Sequence, residues 1–461
     1  MLLEVKPRVV PPLDDRFRPG VLFNHAFLDA ANSAGGEEPL VIAIEQGDGT
    51  RSVYRTRAIP AGHKLAAANL EYAEHLVKTL LWQRGGHKVY VGGPREIGEH
   101  IQALYTPTGK RAFDVELMSG VYEKPFVVEV MDADQVPGPR EESAPLGRHL
   151  EGCRIGFDLG ASDRKVSAVV DGETVFSEEV VWDPRPQTDP RYHYHEIMSA
   201  LHRAAARMPR VDAIGGSAAG IYINNRVMVA SLFRGIPKDL FDSQVKDLFV
   251  RMGKEWGVPF VVVNDGEVTA LAGSMALGVN GILGIAMGSS EAGGYVDQKG
   301  NITRWLNELA FVPVDFHPEA PVDEWSGDRG CGALYFSQQA IPRLAEAAGI
   351  ALEAGMPLPQ QLEAVQALMA KGDPSARLIY ETIGCYLGYA LAYYADIYDM
   401  SHALILGRVT SGAGGPVILE KAREVLATEF PELAKSLAPH LPDEQTRRVG
   451  QAVAAASLPA L

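Results

Sequence analysis

The sequence predicts an α/β protein built from two similar domains facing a cleft, preceded by a further α/β region. Three observations predict it. A strand–turn pattern, apolar-Gly-apolar-x-apolar-Gly-small-Ser, occurs twice: Ile155-Gly156-Phe157-Asp158-Leu159-Gly160-Ala161-Ser162 and Leu283-Gly284-Ile285-Ala286-Met287-Gly288-Ser289-Ser290. After each copy the strand and hairpin signals recur, followed by helical patterns and a further strand. A stretch rich in Pro, Gly and charge, residues 132–152, stands before the first copy and reads as a linker. The expected division is an N-terminal α/β domain (1–131), a linker (132–152), a first domain (153–280) and a second (281–461). The N-terminal domain is expected to dock on the first of the two.

In the N-terminal region PLVIAIEQ and RSVYRTRAI read as strands, LAAANLEYAEHLVKTLLWQ as a helix and HKVYV as a strand. Pro94 suits the first turn of a further helix. Gly92-Gly93-Pro94 there reads as an anion site or as a plain βα turn. Beyond the linker, CRIGFDLG is a strand, and KVSAVV and ETVFSEEVV flank a hairpin turn at Asp171-Gly172. A helix is expected near HEIMSALHRAAARM, a strand at DAIGGS and a second hairpin at Asn224-Asn225. One helix is expected over DLFDSQVKDLFVRMGKEW. FVVV is a buried strand ending at Asn264-Asp265, and GEVTALAGSMALG is the helix after it. From Gly281 the strand and hairpin theme restarts, with GILGIAMG, GGYVD and a turn at Lys299-Gly300. The remainder is mainly helical, with a late strand at ALILG entering the loop 408–415. His193 and His195 open a helix, where surface capping is the simpler reading than a metal pair.

The formal net charge of −15 argues against a nucleic-acid partner, because phosphate affinity rests on clustered Lys and Arg. A nucleotide pocket is still allowed, since backbone N–H groups can hold phosphates. The three cysteines, Cys153, Cys331 and Cys385, lack paired spacing and give no disulfide framework. The opening MLLEVKPRVVPPLDD has no apolar core of a secretion signal, and no stretch approaches the roughly 20 apolar residues that span a bilayer. A cytoplasmic protein without a membrane partner is expected, as a homodimer.

The chemistry lies in the motifs. Bare Gly-rich turns let a backbone approach a ligand closely. The first copy carries Asp158 where the second has Ala286, so the copies differ in charge. A carboxylate at the end of a buried strand, as at Asp265, is placed to accept a proton; the alternative for Asn-Asp is a helix cap.

Residues 153 to about 430 resemble the ROK family of sugar kinases and repressors, within the actin-like, hexokinase-like ATPase superfamily. The family's Asp-x-Gly-Gly-Thr falls on Asp158-Leu159-Gly160-Ala161-Ser162. Its Asn-Asp-Ala-Asn falls on Asn264-Asp265-Gly266-Glu267. Its second phosphate loop falls on Gly288-Ser289-Ser290-Glu291-Ala292-Gly293-Gly294, and its glycine-ended strand near the nucleoside on Leu404-Ile405-Leu406-Gly407. The resemblance implies two ribonuclease-H-like domains and ATP-dependent phosphoryl transfer to a sugar hydroxyl. It implies Asp265 as general base, Asn264 and Glu308 as sugar ligands, and Asp158 as the Mg²⁺ ligand through water. It implies Gly160, Ala161, Ser162, Gly288, Ser289, Ser290 and Gly407 around the nucleotide. The counter-reading of Asp158 is a buried brace for its loop. The second function class open to the chain is a non-catalytic, ligand-binding or regulatory relative; the repressor branch is disfavoured by the acidic charge and by the lack of a basic helix-turn-helix segment.

The departures are specific. The family's Gly-Glu-x-Gly-His becomes Asn307-Glu308-Leu309-Ala310-Phe311, so a sugar- and zinc-binding His is replaced by Phe311. The zinc motif falls on Glu324-Trp325-Ser326-Gly327-Asp328-Arg329-Gly330-Cys331 and keeps one cysteine; the following sugar-binding Glu is Ala333. No zinc is expected, because a structural site takes four N or S ligands. Glu291 stands in the second phosphate loop, where a carboxylate opposes phosphate. Arg408 replaces a glycine beside the adenosine site, where it stacks on the base or fills the space.

Overall fold

The computed structural model describes residues 3, 5–35, 38–141, 146–442 and 450–461. Residues 142–145 of the expected linker lie outside these. The chain forms two compact units. One comprises Met1–Glu142, Ala286–Ala292 and Arg304–Leu441; the other comprises Ser143–Ile285, Gly293–Thr303 and Pro442–Leu461.

In the first unit the chain runs α1 (Gly20–Ser33), β1 (Pro39–Glu45), β2 (Arg51–Arg57), α2 (Ala68–Arg84), β3 (Lys88–Gly92), α3 (Arg95–Leu104), α4 (Ala112–Tyr122) and β4 (Val127–Met131). The apolar run Leu40–Ile44 is fully buried, which suits β1 to an interior place in the order β2-β1-β3-β4. β3 and β4 are parallel, so α3 and α4 form the crossover that such a pair requires. The Gly92-Gly93 turn serves close packing: a Cβ on Gly93, at φ +141°, would lie 2.5 Å from the Pro39 carbonyl oxygen. That is the plain βα turn.

The middle of the chain runs β5 (Cys153–Leu159), β6 (Asp163–Val170), β7 (Glu173–Val181), α5 (Pro190–Ala205), β8 (Ala213–Ala218), β9 (Ile221–Ile223), β10 (Arg226–Val229), α6 (Lys238–Leu240), α7 (Leu248–Trp256), β11 (Phe260–Asn264) and α8 (Asp265–Leu277). The order β11-β8-β5-β6-β7 has an antiparallel meander β5-β6-β7 and parallel β5, β8 and β11. Asn224 and Asn225 take positive φ in the β9–β10 hairpin, as their sequence predicts. The single helix expected over 239–256 is instead broken: α6 passes through a π-helical turn, Phe241–Val245, before α7. α5 starts at Pro190 under an Asp189 cap. His193 is buried and shared between the carbonyls of Pro184 and Leu232 at 3.1 and 3.0 Å, so it braces the interior rather than capping a surface.

The last part runs β12 (Ile282–Met287), β13 (Glu291–Val296), α9 (Ala340–Ala347), α10 (Leu358–Ala370), α11 (Pro374–Ala395), β14 (His402–Leu406), α12 (Gly414–Glu429) and β15 (Ala438–His440), with sheet order β13-β12-β14-β15. A short C-terminal helix, Gln451–Ala456, lies in the unit of β5. There the glycines of IGF and IGG leave room for it. A Cβ on Gly156 would sit 1.6 Å from the Ala452 carbonyl oxygen, and one on Gly215 1.7 Å from that of Ala455.

Residues 1–131 were expected to dock on the domain of β5; Met1–Glu142 instead fall in one unit with Arg304–Leu441. The amide of Val9 donates to the Tyr389 hydroxyl at 3.4 Å, which in turn donates to the Val9 carbonyl at 3.1 Å. Asp14 accepts from Tyr386 at 2.6 Å and pairs with Arg343 at 3.1 Å, and Phe17 packs on Tyr386 with ring centroids 4.7 Å apart. These partners sit on α9 and α11.

Candidate functional site

In the unit of β5, three parallel strands bring their carboxyl ends to one level. Asp158 of β5 pairs in register with Ser217 of β8, and Asn264 of β11 with Ala218 of β8. Ligands of open α/β sheets bind outside such ends. The Ser217 hydroxyl donates to Asp158 Oδ1 at 2.6 Å. Burial pushes the Asp158 carboxyl up to about 6; the Ser217 bond and Lys165 oppose this, while Asp265 and Asp163 add to it. Asp158 is therefore mostly ionised at neutral pH and feels the charge of Asp265.

The cap reading of Asn-Asp holds for Asn264. Asn264 is the cap of α8: its Oδ1 accepts from the Gly266 amide at 2.7 Å, and its Nδ2 donates to the Gly220 carbonyl at 2.7 Å. Each end of that amide keeps one further hydrogen-bonding capacity. Asp265, the first residue of α8, has its carboxyl raised by burial, against the opposing Gly266 amide. Gly266 is required here, because a Cβ would stand 2.2 Å from the Gly293 carbonyl oxygen.

The first Gly-rich turn is a tight hairpin. The Gly160 amide donates to the Asp163 carbonyl at 2.9 Å, and Trp182 Nε1 donates to the Gly160 carbonyl at 2.8 Å. Ala161 and Ser162 form its tip, with Ser162 exposed and its hydroxyl donating to Asp163 Oδ2 at 3.0 Å.

The remaining candidates belong to the other unit. Ser289 and Ser290 are exposed in the second turn, closed by the Gly288 amide on the Ser290 carbonyl at 3.0 Å. Gly407, at φ +102°, lies so close to β12 that a Cβ would be 2.5 Å from the Met287 carbonyl oxygen. Beyond it a small, half-open pocket is lined by Gln366, Met369, Tyr380, Ser411 and Gly414, among others. Arg408 is exposed and does not line it; its carbonyl accepts from Gln366 Nε2 at 2.8 Å.

Glu291 does not face a phosphate turn. It begins β13 and is 3% exposed, with the Tyr394 hydroxyl 3.4 Å from its Oε1. Burial pushes its carboxyl up to about 8, with Glu308 adding to the rise against Tyr394. It is neutral at pH 7, so the expected repulsion of phosphate is not present. Gly332 packs against it, where a Cβ would fall 2.2 Å from Glu291 Oε2.

Around Glu308 the N-terminal region takes part. The Glu308 amide donates to the Trp82 carbonyl at 3.0 Å, and Phe311 stacks on the Trp82 ring at 4.2 Å. Asp328, within the segment aligned with the zinc motif, is held by Lys78 and Arg111, each at 2.5 Å. Lys78 also pairs with Asp114 at 3.1 Å, and Arg111 with Glu74 at 2.6 Å. Cys331 is buried, its thiol pushed up to about 12 by that burial, and so protonated. Among the described residues there is no group of three or more His, Cys, Asp and Glu placed to hold a metal ion. Nor is there a helix long and apolar enough to cross a membrane.

Sequence reasoning missed Ser217 and the whole partnership of α2 with Glu308. The serine next to the end of the strand AIGGSA was a signal for the first; nothing local signals the second.

No protein-family profile matches the sequence, and no curated protein matches it. Solved structures do match. A ROK family glucokinase from Streptomyces griseus, in complex with glucose and AMPPNP, is 21% identical over 66% of this chain and 98% of its own, with a TM-score of 0.50. A ROK hexokinase from Thermus thermophilus is 20% identical over 66% and 97%, with a TM-score of 0.52. A ROK family transcriptional regulator, a homolog of the E. coli MLC protein, is 20% identical over 66% and 78%, with a TM-score of 0.53. The chain has the fold of these ROK proteins, the hexokinase-like variant of the actin-like ATPase fold.

Proposed function

We propose that this protein transfers the γ-phosphoryl group of ATP to a hydroxyl of a sugar or sugar derivative. The observation that carries the reading is the pair Asp158 and Asp265 at the carboxyl ends of β5 and β11, the parallel strands on either side of β8, each with a raised carboxyl pKa. Two kinases of the same fold support it, one solved with glucose and AMPPNP.

Asp265 acts as the base. A raised pKa makes its carboxylate a better proton acceptor toward the attacking hydroxyl. Asn264, through its remaining hydrogen-bonding capacity, and Glu308 orient the acceptor. The tips Ala161-Ser162 and Ser289-Ser290 offer backbone N–H groups to the phosphates, Gly160 and Gly288 hold those turns closed through their own amides, and Gly407 leaves the nucleoside its space. A buried, largely ionised Asp158 fits Mg²⁺ held through water. When bound, that ion would neutralise phosphate charge. No zinc enters the scheme, because the place of the zinc segment is braced by the Lys78, Arg111 and Asp328 ion pairs. Phe311 makes the acceptor site less polar than a histidine would, so a deoxy or acylated sugar is a better acceptor than glucose.

A ligand-binding regulator is the second reading, favoured by the packing of Phe311 onto Trp82 and by the ROK regulator among the structural matches. One experiment separates the two: phosphoryl transfer from ATP across a broad sugar panel, with calorimetric nucleotide binding alongside. No transfer to any sugar and no nucleotide binding would remove the kinase reading.

A further inference from the structure

The geometry points to Asn307, clamped by the last turn of α2, as the residue that positions Glu308; the N-terminal region thereby becomes part of the acceptor-binding half. The inference rests on Glu308 as the proposed acceptor ligand.

The last carbonyls of a helix have no partner within it. In α2 three of them are taken by one short segment. The Arg84 carbonyl lies 3.3 Å from the Leu306 amide, Gln83 accepts from Asn307 at 2.9 Å, and Trp82 accepts from Glu308 at 3.0 Å. Three successive N–H groups on three successive carbonyls fix both the height and the direction of the Glu308 backbone.

Asn307 sits at the centre. Its φ is +52°, in the left-handed region that Asn tolerates better than most residues. It is 1% exposed, its Oδ1 accepts from the Tyr398 hydroxyl at 2.8 Å, and its Nδ2 approaches the Trp305 carbonyl at 3.4 Å. Arg84 closes the clamp from the helix side. Its guanidinium lies over the Trp305 ring at 3.4 Å and donates to the Ile397 carbonyl at 3.1 Å. Gly85 ends α2 at φ +73°, where a Cβ would fall 2.9 Å from Leu306 Cβ and 2.0 Å from the Tyr122 hydroxyl. At its other face α2 is fixed by the buried Lys78 and by Trp82, whose Nε1 donates to Asp114 at 3.0 Å. An anchored helix thus presents its carbonyl end to a segment whose left-handed backbone turn asparagine accommodates.

The test compares Asn307→Ala, which loses the Tyr398 bond and strains the backbone, with Asn307→Gly, which keeps the φ but loses the bond, and with Tyr398→Phe. Hydrogen exchange of the peptide spanning 306–308 reads the clamp. KM for the best acceptor among hexoses and N-acetylhexosamines, beside KM for ATP, reads its consequence. Expected are faster exchange and an acceptor KM raised about tenfold or more in Asn307→Ala, with KM for ATP unchanged. Smaller effects are expected in the other two, and no further effect when Asn307→Ala is added to Glu308→Gln. Wild-type protection at 306–308 in folded Asn307→Ala overturns the proposal. So does a parallel rise of both KM values, which marks a general structural loss. Lost protection with unchanged acceptor affinity supports the clamp and instead removes Glu308 from the acceptor site.

Discussion

Ser217 donates its hydroxyl proton to Asp158 at 2.6 Å across neighbouring parallel strands, and this bond opposes the burial that raises the carboxyl to about 6. A carboxylate holding a metal through water must be ionised, so protons compete with the metal. Affinity for Mg-ATP is therefore expected to fall by up to about tenfold per pH unit below pH 6. Ser217→Ala should move the midpoint upward. Calorimetric titrations between pH 5 and 8 check this, with Asp158→Asn giving the baseline set by the nucleotide's own titration. A wild-type profile that coincides with that baseline rules out the role of Asp158.

Asp265→Asn should lower kcat by about 10²–10⁴-fold, the range of general-base catalysis, with nucleotide affinity retained. Asparagine matches aspartate in shape and cannot take a proton at neutral pH. Asp158→Asn should act the other way, weakening the Mg-nucleotide complex before it slows turnover. Steady-state kinetics on both variants distinguish the roles; retention of wild-type kcat in Asp265→Asn would sink the assignment.

Glu291 gives a stability prediction independent of substrate. Its folded carboxyl is raised by burial to about 8, well above an unfolded glutamate near 4.5. Between those values the folded chain holds a proton that the unfolded chain has released. Stability from this group is thus full below about pH 4.5 and declines as pH rises toward 8, by about 1.4 kcal/mol per pH unit at most. Glu291→Gln keeps the neutral shape and removes the ionisation. It should raise the melting temperature at pH 8 and leave it nearly unchanged at pH 4.5. Denaturation at the two pH values checks the sign, and a variant less stable at both would contradict it.

The duplicated strand–turn pattern was legible because backbone demands are local. Gly160 closes its own turn, where a Cβ would lie 3.0 Å from the Asp163 carbonyl oxygen, and Asn224-Asn225 names its own hairpin, whereas Gly156 makes room for the distant Ala452 carbonyl. Asp158 and Asp265 were legible because each ends a buried apolar strand. The protonation of Glu291 was not legible, because it depends on burial and on Glu308, both supplied by distant parts of the chain. The break between α6 and α7 was hidden too: the apolar spacing of 239–256 is helical throughout, and only the hydrogen-bond pattern shifts. The partnership of residues 1–142 with 304–441 was out of reach for the same reason. Lys78 and Asp328 are each an ordinary charged residue until tertiary structure buries them together.

That pair sets the last prediction. Glu74, Asp114 and Asp328 face Lys78, Lys110 and Arg111, three carboxylates against three cations. Removing one partner from a buried pair leaves an uncompensated charge and costs about 3–5 kcal/mol. Asp328→Ala should therefore destabilise the protein on that scale, because Lys78 is fully buried and Arg111 nearly so. A Lys78→Met, Asp328→Leu double variant restores the balance of charge and should recover part of the loss, although Arg111 then lacks its Asp328 partner and Asp114 its Lys78 partner. If the network has replaced a metal as the brace of this segment, wild-type protein purified without chelator should contain no stoichiometric zinc, and chelation should leave its melting temperature unchanged. One tightly held zinc per chain, or an Asp328→Ala variant as stable as wild type, would show that the ion pairs are not what holds the segment.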